Sequence, residues 1–470
     1  KTSLNIGGSL SKSPHKRTSS MYQPIKKPEE SQISDSKSVA SPHIRSESTN
    51  VRSNSQENNI LNLNPCSNTE QELNPGESKG GSSNIRVLCR FRPLNDKELQ
   101  IQRDSSSTNF DEFNSLCVRF LDPTEVEIKS AAENNNKYKF KFDKIFSTAS
   151  QQEEIYETAA RPIVNSVIEG FNGTIFAYGQ TGSGKTYTMS GVYDSEVNEG
   201  IIPRMVNQVF SQIVSAPEDI EFTVKVSMIE IYMEKIRDLI DVTKVNLNIR
   251  EDKYQKVFIE SLSEHYVANP DEVYDIMKLG NGNRSVAKTQ MNDQSSRSHS
   301  IVIMTINQND TKSGTAKCGK LFLVDLAGSE KISKTGATGM TLEEGKMINK
   351  SLTTLGMVIN SLTDGKSTHI PYRESKLTRI LSESLGGNAK TTLIITCSPS
   401  PYNEAESLST LRFGMRAKKI KNKPKINKEL TVAELKVIVE KLEKQLKLSK
   451  IKITQLEKFI KSQDLDLPQE

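Results

Sequence analysis

The sequence predicts an α/β domain over about residues 84–420, with a central, mostly parallel or mixed sheet flanked by helices. Three observations predict it. Short apolar runs of strand length alternate with helix-period patterns. One run opens directly into a glycine-rich motif of the phosphate-loop type. Another ends on an aspartate.

The strands come first. Ile85–Phe91, Thr174–Tyr178, Ile301–Ile306, Leu321–Val324 and Thr392–Cys397 are apolar runs suited to buried strands. Phe222, Val224, Val226 and Met228 alternate, the mark of a half-buried strand. The clearest helix carries Ile348, Leu352, Leu355, Ile359 and Leu362 on one face and stops at Asp364-Gly365. Residues 421–431 are polar and extended in character. Residues 432–463 carry a heptad, with Val439, Leu446, Ile453 and Ile460 at one core position and Leu435, Leu442, Ser449 and Leu456 at the other. β-Branched residues at a and leucines at d favour a parallel two-stranded coiled coil and hence a homodimer; the alternative is an amphipathic helix packed on its own domain.

Composition fits one folded domain with solvated extensions. Hydrophobic residues make up 34% of the 470-residue chain and charged residues 26%. Residues 1–83, rich in Ser, Asn, Pro and Lys, lack apolar periodicity and are expected to be a disordered tail. No run approaches the 18 or so apolar residues of a membrane span. No apolar leader opens the sequence, so no secretory signal is expected, and without an initiator Met it reads as a piece of a longer chain. Five widely spaced cysteines suit a reducing, cytoplasmic setting better than a disulfide framework or zinc site. Net charge is +5, but residues 421–461 alone hold 12 Lys against 5 Glu. The body is near neutral, which argues against a nucleic-acid binder and for a local cationic patch.

The chemistry is carried by three segments. Gly179-Gln180-Thr181-Gly182-Ser183-Gly184-Lys185-Thr186 matches G-x-x-x-x-G-K-[ST] and follows a strand. Glycines let backbone N–H groups curl around phosphate oxygens, Lys185 neutralises them, and the Thr186 hydroxyl suits a Mg²⁺ ligand. Leu321–Asp325 delivers a carboxylate to the Mg²⁺ shell and runs into Leu326-Ala327-Gly328, where Gly328 N–H can sense a terminal phosphate. Asn292–His299 offers adjacent hydroxyls and an arginine. Asn349-Lys350-Ser351-Leu352 lacks the aspartate of a guanine-reading N-K-x-D motif, so ATP is the expected nucleotide.

Together these segments, with Arg90-Phe91-Arg92-Pro93, Asp325–Glu330 and Tyr372–Arg379, resemble a kinesin motor domain over about 84–430, and most closely the conventional heavy-chain class. The resemblance implies a phosphate-loop NTPase-type motor, a neck linker at 421–431 and a coiled-coil neck. It implies that Arg90, Arg92, Pro93 and Tyr187 surround the adenine, that Ser295 places the attacking water, and that Ser296 and Asp325 join Thr186 at Mg²⁺. Arg297 and Glu330 would pair to close the site over Gly328. Lys331, Lys334, Lys346, Lys350, Arg373, Lys376 and Arg379 would face the microtubule; the spacing of the last three puts them on one face if helical. Ile420, Asn422, Ile426 and Asn427 would dock the neck linker, with Pro424 implying looser docking nearby. The implied function is a cytoplasmic, microtubule-stimulated ATPase moving towards plus ends as a dimer. The alternatives are a non-walking microtubule-end regulator of the same family, or a phosphate-loop switch ATPase without a track. No cargo or light chain is assigned.

Overall fold

The chain divides into two units, Lys1–Glu72 and Leu73–Glu470. The computed structural model describes residues 82–105, 116–131, 133–192, 195–253, 256–290, 296–330, 340–429 and 432–462, all in the second unit. The expected tail through residue 81, Ser295, Lys331 and Lys334 lie outside the described residues, and so does the side chain of Lys346.

Seventeen strands are present among the described residues: β1 (Ser83–Asn84), β2 (Arg86–Phe91), β3 (Val118–Asp122), β4 (Glu125–Ser130), β5 (Asn136–Lys141), β6 (Lys144–Phe146), β7 (Gly173–Tyr178), β8 (Ile220–Tyr232), β9 (Lys235–Asp238), β10 (Ile249–Glu251), β11 (Val257–Ile259), β12 (His265–Val267), β13 (His299–Asp310), β14 (Thr315–Asp325), β15 (Lys390–Cys397), β16 (Lys421–Asn422) and β17 (Lys428–Glu429). The helices are α1 (Asp96–Ser105), α2 (Gln152–Ala159), α3 (Arg161–Ile168), α4 (Lys185–Met189), α5 (Ile201–Val214), α6 (Pro270–Gln290), α7 (Met340–Thr363), α8 (Lys376–Ile380), α9 (Glu404–Ala417) and α10 (Val432–Ser462).

The main sheet runs β12-β8-β13-β14-β7-β15-β2-β6, with β9 and β17 added beside β8 and β14. It is mixed. From β14 through β7, β15 and β2 to β6 neighbours are parallel, while β13, β8 and β12 pair antiparallel. β3, β4 and β5 make a separate antiparallel sheet.

Alternation along the central strands feeds two cores, one per face. Phe176 and Tyr178 of β7 join the core closed by Leu355 and Ile359 of α7, Leu377 of α8 and Leu408 and Leu411 of α9. Ile175 and Ala177 join the core closed by Ile155 of α2, Val164 of α3, Val209 of α5 and Met277 of α6. The result is three layers. In β8 the expected half-burial holds only for the first part; from Ser227 to Ile231 every residue is buried, because this end lies under both cores. Helix α7 ends where expected. Asp364 accepts from the N–H groups of Lys366 and Ser367, and Gly365 takes φ +66°.

Among the described residues the first strand begins at Ser83, the last residue of the expected tail. Ser83–Asn84 pairs antiparallel with Lys421–Asn422, so the start of the α/β domain and its C-terminal extension form one ribbon. Helix α10 stands apart. Its core-position residues Leu435, Val439, Leu442, Leu446, Ile453 and Leu456 are all about half exposed. Among the described side chains, these six core positions are not covered by the rest of the domain, while Ile460 is partly buried.

Candidate nucleotide site

The phosphate loop leaves the buried end of β7. Gly182 and Gly184 take φ +73° and +101°, which side chains disfavour. A Cβ built on Gly182 meets nothing within 4 Å among the described residues, whereas one on Gly179 would lie 2.2 Å from the Thr396 carbonyl. The loop is thus pinned at its root and open at its tip. Ser183 Oγ pins it further, 2.8 Å from the Gln180 carbonyl and 2.7 Å from Thr396 Oγ1. Lys185 is buried and donates two of its three N–H groups to the carbonyls of Gly179 and Gln180, both at 2.9 Å. Burial lowers its pKa.

Beside it Thr186 Oγ1 donates to Asp325 Oδ2 at 2.7 Å. The other carboxylate oxygen, Asp325 Oδ1, is buried with no hydrogen-bond partner among the described residues. A buried orphan carboxylate oxygen next to a hydroxyl is a donor set for a hard cation and its waters, so these residues fit Mg²⁺. Arg284 Nη1 stands 4.0 Å from Asp325 Oδ2.

Two loops are hooked onto this cradle. Gly328 N–H, expected to face a phosphate, here donates to the Ser296 carbonyl at 2.8 Å and joins the loops to each other. Ser329 N–H donates to the Gly179 carbonyl at 3.1 Å. Glu330 accepts from Thr181 N–H at 2.7 Å and Thr181 Oγ1 at 2.6 Å. A Cβ on Gly328 would come within 2.3 Å of Thr181 Oγ1 and 2.4 Å of Glu330. Arg297 lies in the Ser296 loop, partly exposed. Behind them sits His299, fully buried. Its Nδ1 accepts from Ala327 N–H at 3.0 Å, so its own proton is on Nε2, 2.7 Å from Ser351 Oγ on α7. Burial first, then the charges of Arg284 and Lys185, push its pKa down to about 3.

On the base side the four expected residues divide. Tyr187 is half exposed and Pro93 exposed. Arg90 is buried behind Tyr187, 5.1 Å from its ring centroid, and donates to Gln152 and Thr188. Burial lowers its pKa to about 10. Arg92 donates from Nε to the Gly182 carbonyl at 2.5 Å.

The cationic set needs one correction. Arg373, Lys376 and Arg379 do not share a helix, because Ser375 is extended and caps α8. Arg373 lies in a separate short turn. Glu251, at the end of β10, brings Arg373 and Arg379 together at 2.8 and 3.2 Å. Lys350 is exposed on α7.

The four neck residues are gathered on the core. Ile420 is fully buried, and its carbonyl accepts from Ile85 N–H. Asn422 is buried among the carbonyls of Ser384 and Ala389. Asn427 Nδ2 reaches the Gly170 and Cys318 carbonyls and Asn172 Oδ1. Ile426 packs where a Cβ on Gly170 would meet it at 3.1 Å. Looser docking around Pro424 is not seen. Pro424 is buried, and Lys423 and Lys425 on either side donate to the Gly387 carbonyl and Asn388 Oδ1. In an extended segment alternate N–H groups face opposite ways, so the donor that proline lacks belongs to the side facing away from the core.

Sequence reasoning missed Glu98, Arg284 and Glu251 and gave His299 no role. Of these only Glu98 left a local trace, a carboxylate three residues after Asn95 at a helix start.

Fold and site together define a phosphate-loop nucleotide-binding protein. Comparison with known proteins narrows this. The Kinesin motor domain family matches residues 90–420. A Kinesin heavy chain of Syncephalastrum racemosum is 56% identical over 366 residues, 77% of this chain and 38% of that one. Kinesin-related protein 3 of Dictyostelium discoideum is 54% identical, over 80% of this chain and 31% of that one. The Drosophila melanogaster Kinesin heavy chain is 49% identical, over 79% and 37%. A solved structure described as a fast kinesin aligns with TM-score 0.68 at 52% identity, covering 75% of this chain and 96% of that one. This chain belongs to the kinesin motor family, and it spans well under half the length of these three relatives. Among the described residues no helix is long and apolar enough to cross a membrane.

Proposed function

We propose that the chain is an ATP-driven microtubule motor that steps towards plus ends as a parallel dimer. The observation that carries this is the clasp of Gly328 N–H on the Ser296 carbonyl and of Glu330 on Thr181. It joins the Ser296 and Gly328 loops to the phosphate loop and, through His299, to α7. Such a clasp exists to be made and broken as the nucleotide changes.

The phosphate loop from Gly179 to Gly184 holds the phosphates, and Lys185 balances their charge. Thr186, Ser296 and Asp325 hold Mg²⁺, which when bound supplies charge neutralisation at the transferred phosphoryl group. Ser295 orients the water. Arg297 exchanges with Thr181 as the partner of Glu330 when the site closes. Arg92, Pro93 and Tyr187 flank the adenine, with Arg90 supporting Tyr187. Lys331, Lys334, Lys346, Lys350, Arg373, Lys376 and Arg379 meet the acidic tubulin surface, an attraction that falls with salt. Residues 420–429 dock and release with nucleotide state. The exposed heptad of α10 is the dimer seam, and its lysines are a second contact with acidic tubulin.

The test is ATP hydrolysis with and without microtubules, followed by single-molecule motion on polarity-marked filaments. Stimulated turnover and plus-end runs are expected. Turnover indifferent to microtubules would leave a trackless switch ATPase; stimulated turnover with binding confined to filament ends would leave an end regulator.

A further inference from the structure

Glu98 is the most heavily bonded carboxylate near the site. Its side chain is 2% exposed and faces Arg92, 15% exposed, in a two-pronged pair. Arg92 Nη1 reaches Oε2 at 2.7 Å and Nη2 reaches Oε1 at 2.8 Å. Oε2 also accepts from Asn95 N–H at 3.0 Å, while Oε1 takes Ser398 Oγ and Asn403 Nδ2, each at 2.7 Å. Asn95 Oδ1 accepts from Glu98 N–H in return.

A helix-capping role accounts for the exchange with Asn95 and for nothing else. The other four bonds come from Arg92 and from the segment after β15, some 300 residues along the chain. Burying an ion pair seldom adds net stability, because desolvation offsets the attraction. What the arrangement does supply is orientation. An arginine loses much rotamer freedom when fixed, and here Glu98 grips both Nη atoms, with Nη1 also donating to the Pro93 carbonyl at 2.7 Å. That leaves Nε aimed at the Gly182 carbonyl at 2.5 Å, on the open tip of the phosphate loop.

We infer that Glu98 is a positioning residue of the nucleotide site: anchored by Ser398 and Asn403, it holds the Arg92 guanidinium against Gly182 and so sets how tightly the nucleotide is bound. The inference rests on the proposed ATP site. Glu98 acts through Arg92 and touches no reacting atom, so it governs KM and leaves kcat alone.

Steady-state kinetics with Mg²⁺–ATP test it. Glu98→Gln is expected to raise KM about tenfold, the scale of one or two charge-assisted bonds, with kcat within about twofold. Arg92→Ala should raise KM similarly, and the double variant should be no worse than Arg92→Ala alone. Unchanged KM in a folded Glu98→Gln protein, or additive effects in the double variant, overturns the inference. Should Glu98→Gln not fold, the Ser398→Ala/Asn403→Ala variant decides. It keeps the ion pair but loosens its anchor, and KM should rise about threefold; no rise again overturns the inference. Failure of the ATP-site reading on which the inference rests looks different, because the unaltered chain would then bind no ATP at all.

Discussion

Replacing Asn422 by alanine should release the segment from 420 to 429 while leaving the nucleotide site intact. Asn422 is 1% exposed. Its Nδ2 donates to the Ala389 carbonyl at 2.8 Å, the Ser384 carbonyl at 3.0 Å and Thr391 Oγ1 at 3.1 Å, and its Oδ1 accepts from Gly386 N–H at 2.7 Å. Net hydrogen bonds contribute roughly 0.5–1.5 kcal/mol each, and buried groups left without a partner cost more, so the docked state should lose about 2–4 kcal/mol. That is a shift of roughly 30- to 1000-fold in the docking equilibrium. A distance probe pair, one dye on the core and one on a cysteine replacing the exposed Lys428, reads the docked fraction directly. Basal ATP turnover should change less than twofold, because no Asn422 partner belongs to the phosphate loop or its two clasped loops, and gliding should slow sharply. An unchanged docked fraction would refute the argument; the ribbon with Ser83–Asn84 and the Asn427 contacts would then be holding the segment by themselves.

Three further outcomes are expected. His299 has its folded pKa depressed to about 3 from an ordinary 6.5, so its stabilisation is complete above pH 6.5 and drains as pH falls towards 3; at pH 5 about 2 kcal/mol should be gone, and thermal melts of His299→Asn should show a shallower acid slope than the parent. Glu251→Gln frees Arg373 and Arg379 from their shared carboxylate, so half-maximal ATPase stimulation should need about two- to fivefold less microtubule at low salt, with the gain vanishing at high salt; co-sedimentation at two ionic strengths checks it. Leu442→Asp with Leu446→Asp places charges on the exposed apolar stripe of α10, and light scattering is expected to find dimers for the parent and monomers for the variant.

What the sequence discloses and what it hides differ in range. The strands of the parallel half were legible because both faces of β7, β15 and β2 are covered, which leaves unbroken apolar runs. The phosphate loop was legible because its glycines act through their own backbone angles. The cations at 373, 376 and 379 would share one face only if helical, and the break at Ser375 that prevents this depends on a cap whose hydroxyl also meets Glu234, far away in sequence. Glu98, His299 and Asn422 act across 300, 28 and 38 residues, through partners such as Ser398, Ala327 and Ser384 that look ordinary where they stand. Local spacing carries no trace of such pairs, because the sheet order brings them together.

The contacts of the docked segment also bear on how it is released. Asn422 donates to the Ser384 carbonyl, and Ser384 Oγ meets Thr174 Oγ1 at 2.7 Å on β7, the strand that carries the phosphate loop. This route is short but rigid, since β7 is paired on both sides and buried throughout. The other route is longer. It runs from Ala327 through His299 to Ser351 on α7, and α7 packs in one core with α8 and α9, the elements that lead to Ser384 and to Ile420. Its first links are single hydrogen bonds from a loop clasped by Gly328 and Glu330, so they can break without opening the sheet. A switch needs an element with two arrangements of similar free energy. In the proposed motor that element is therefore expected to be α7 rather than the sheet, with the strand setting where the segment docks and the helix when.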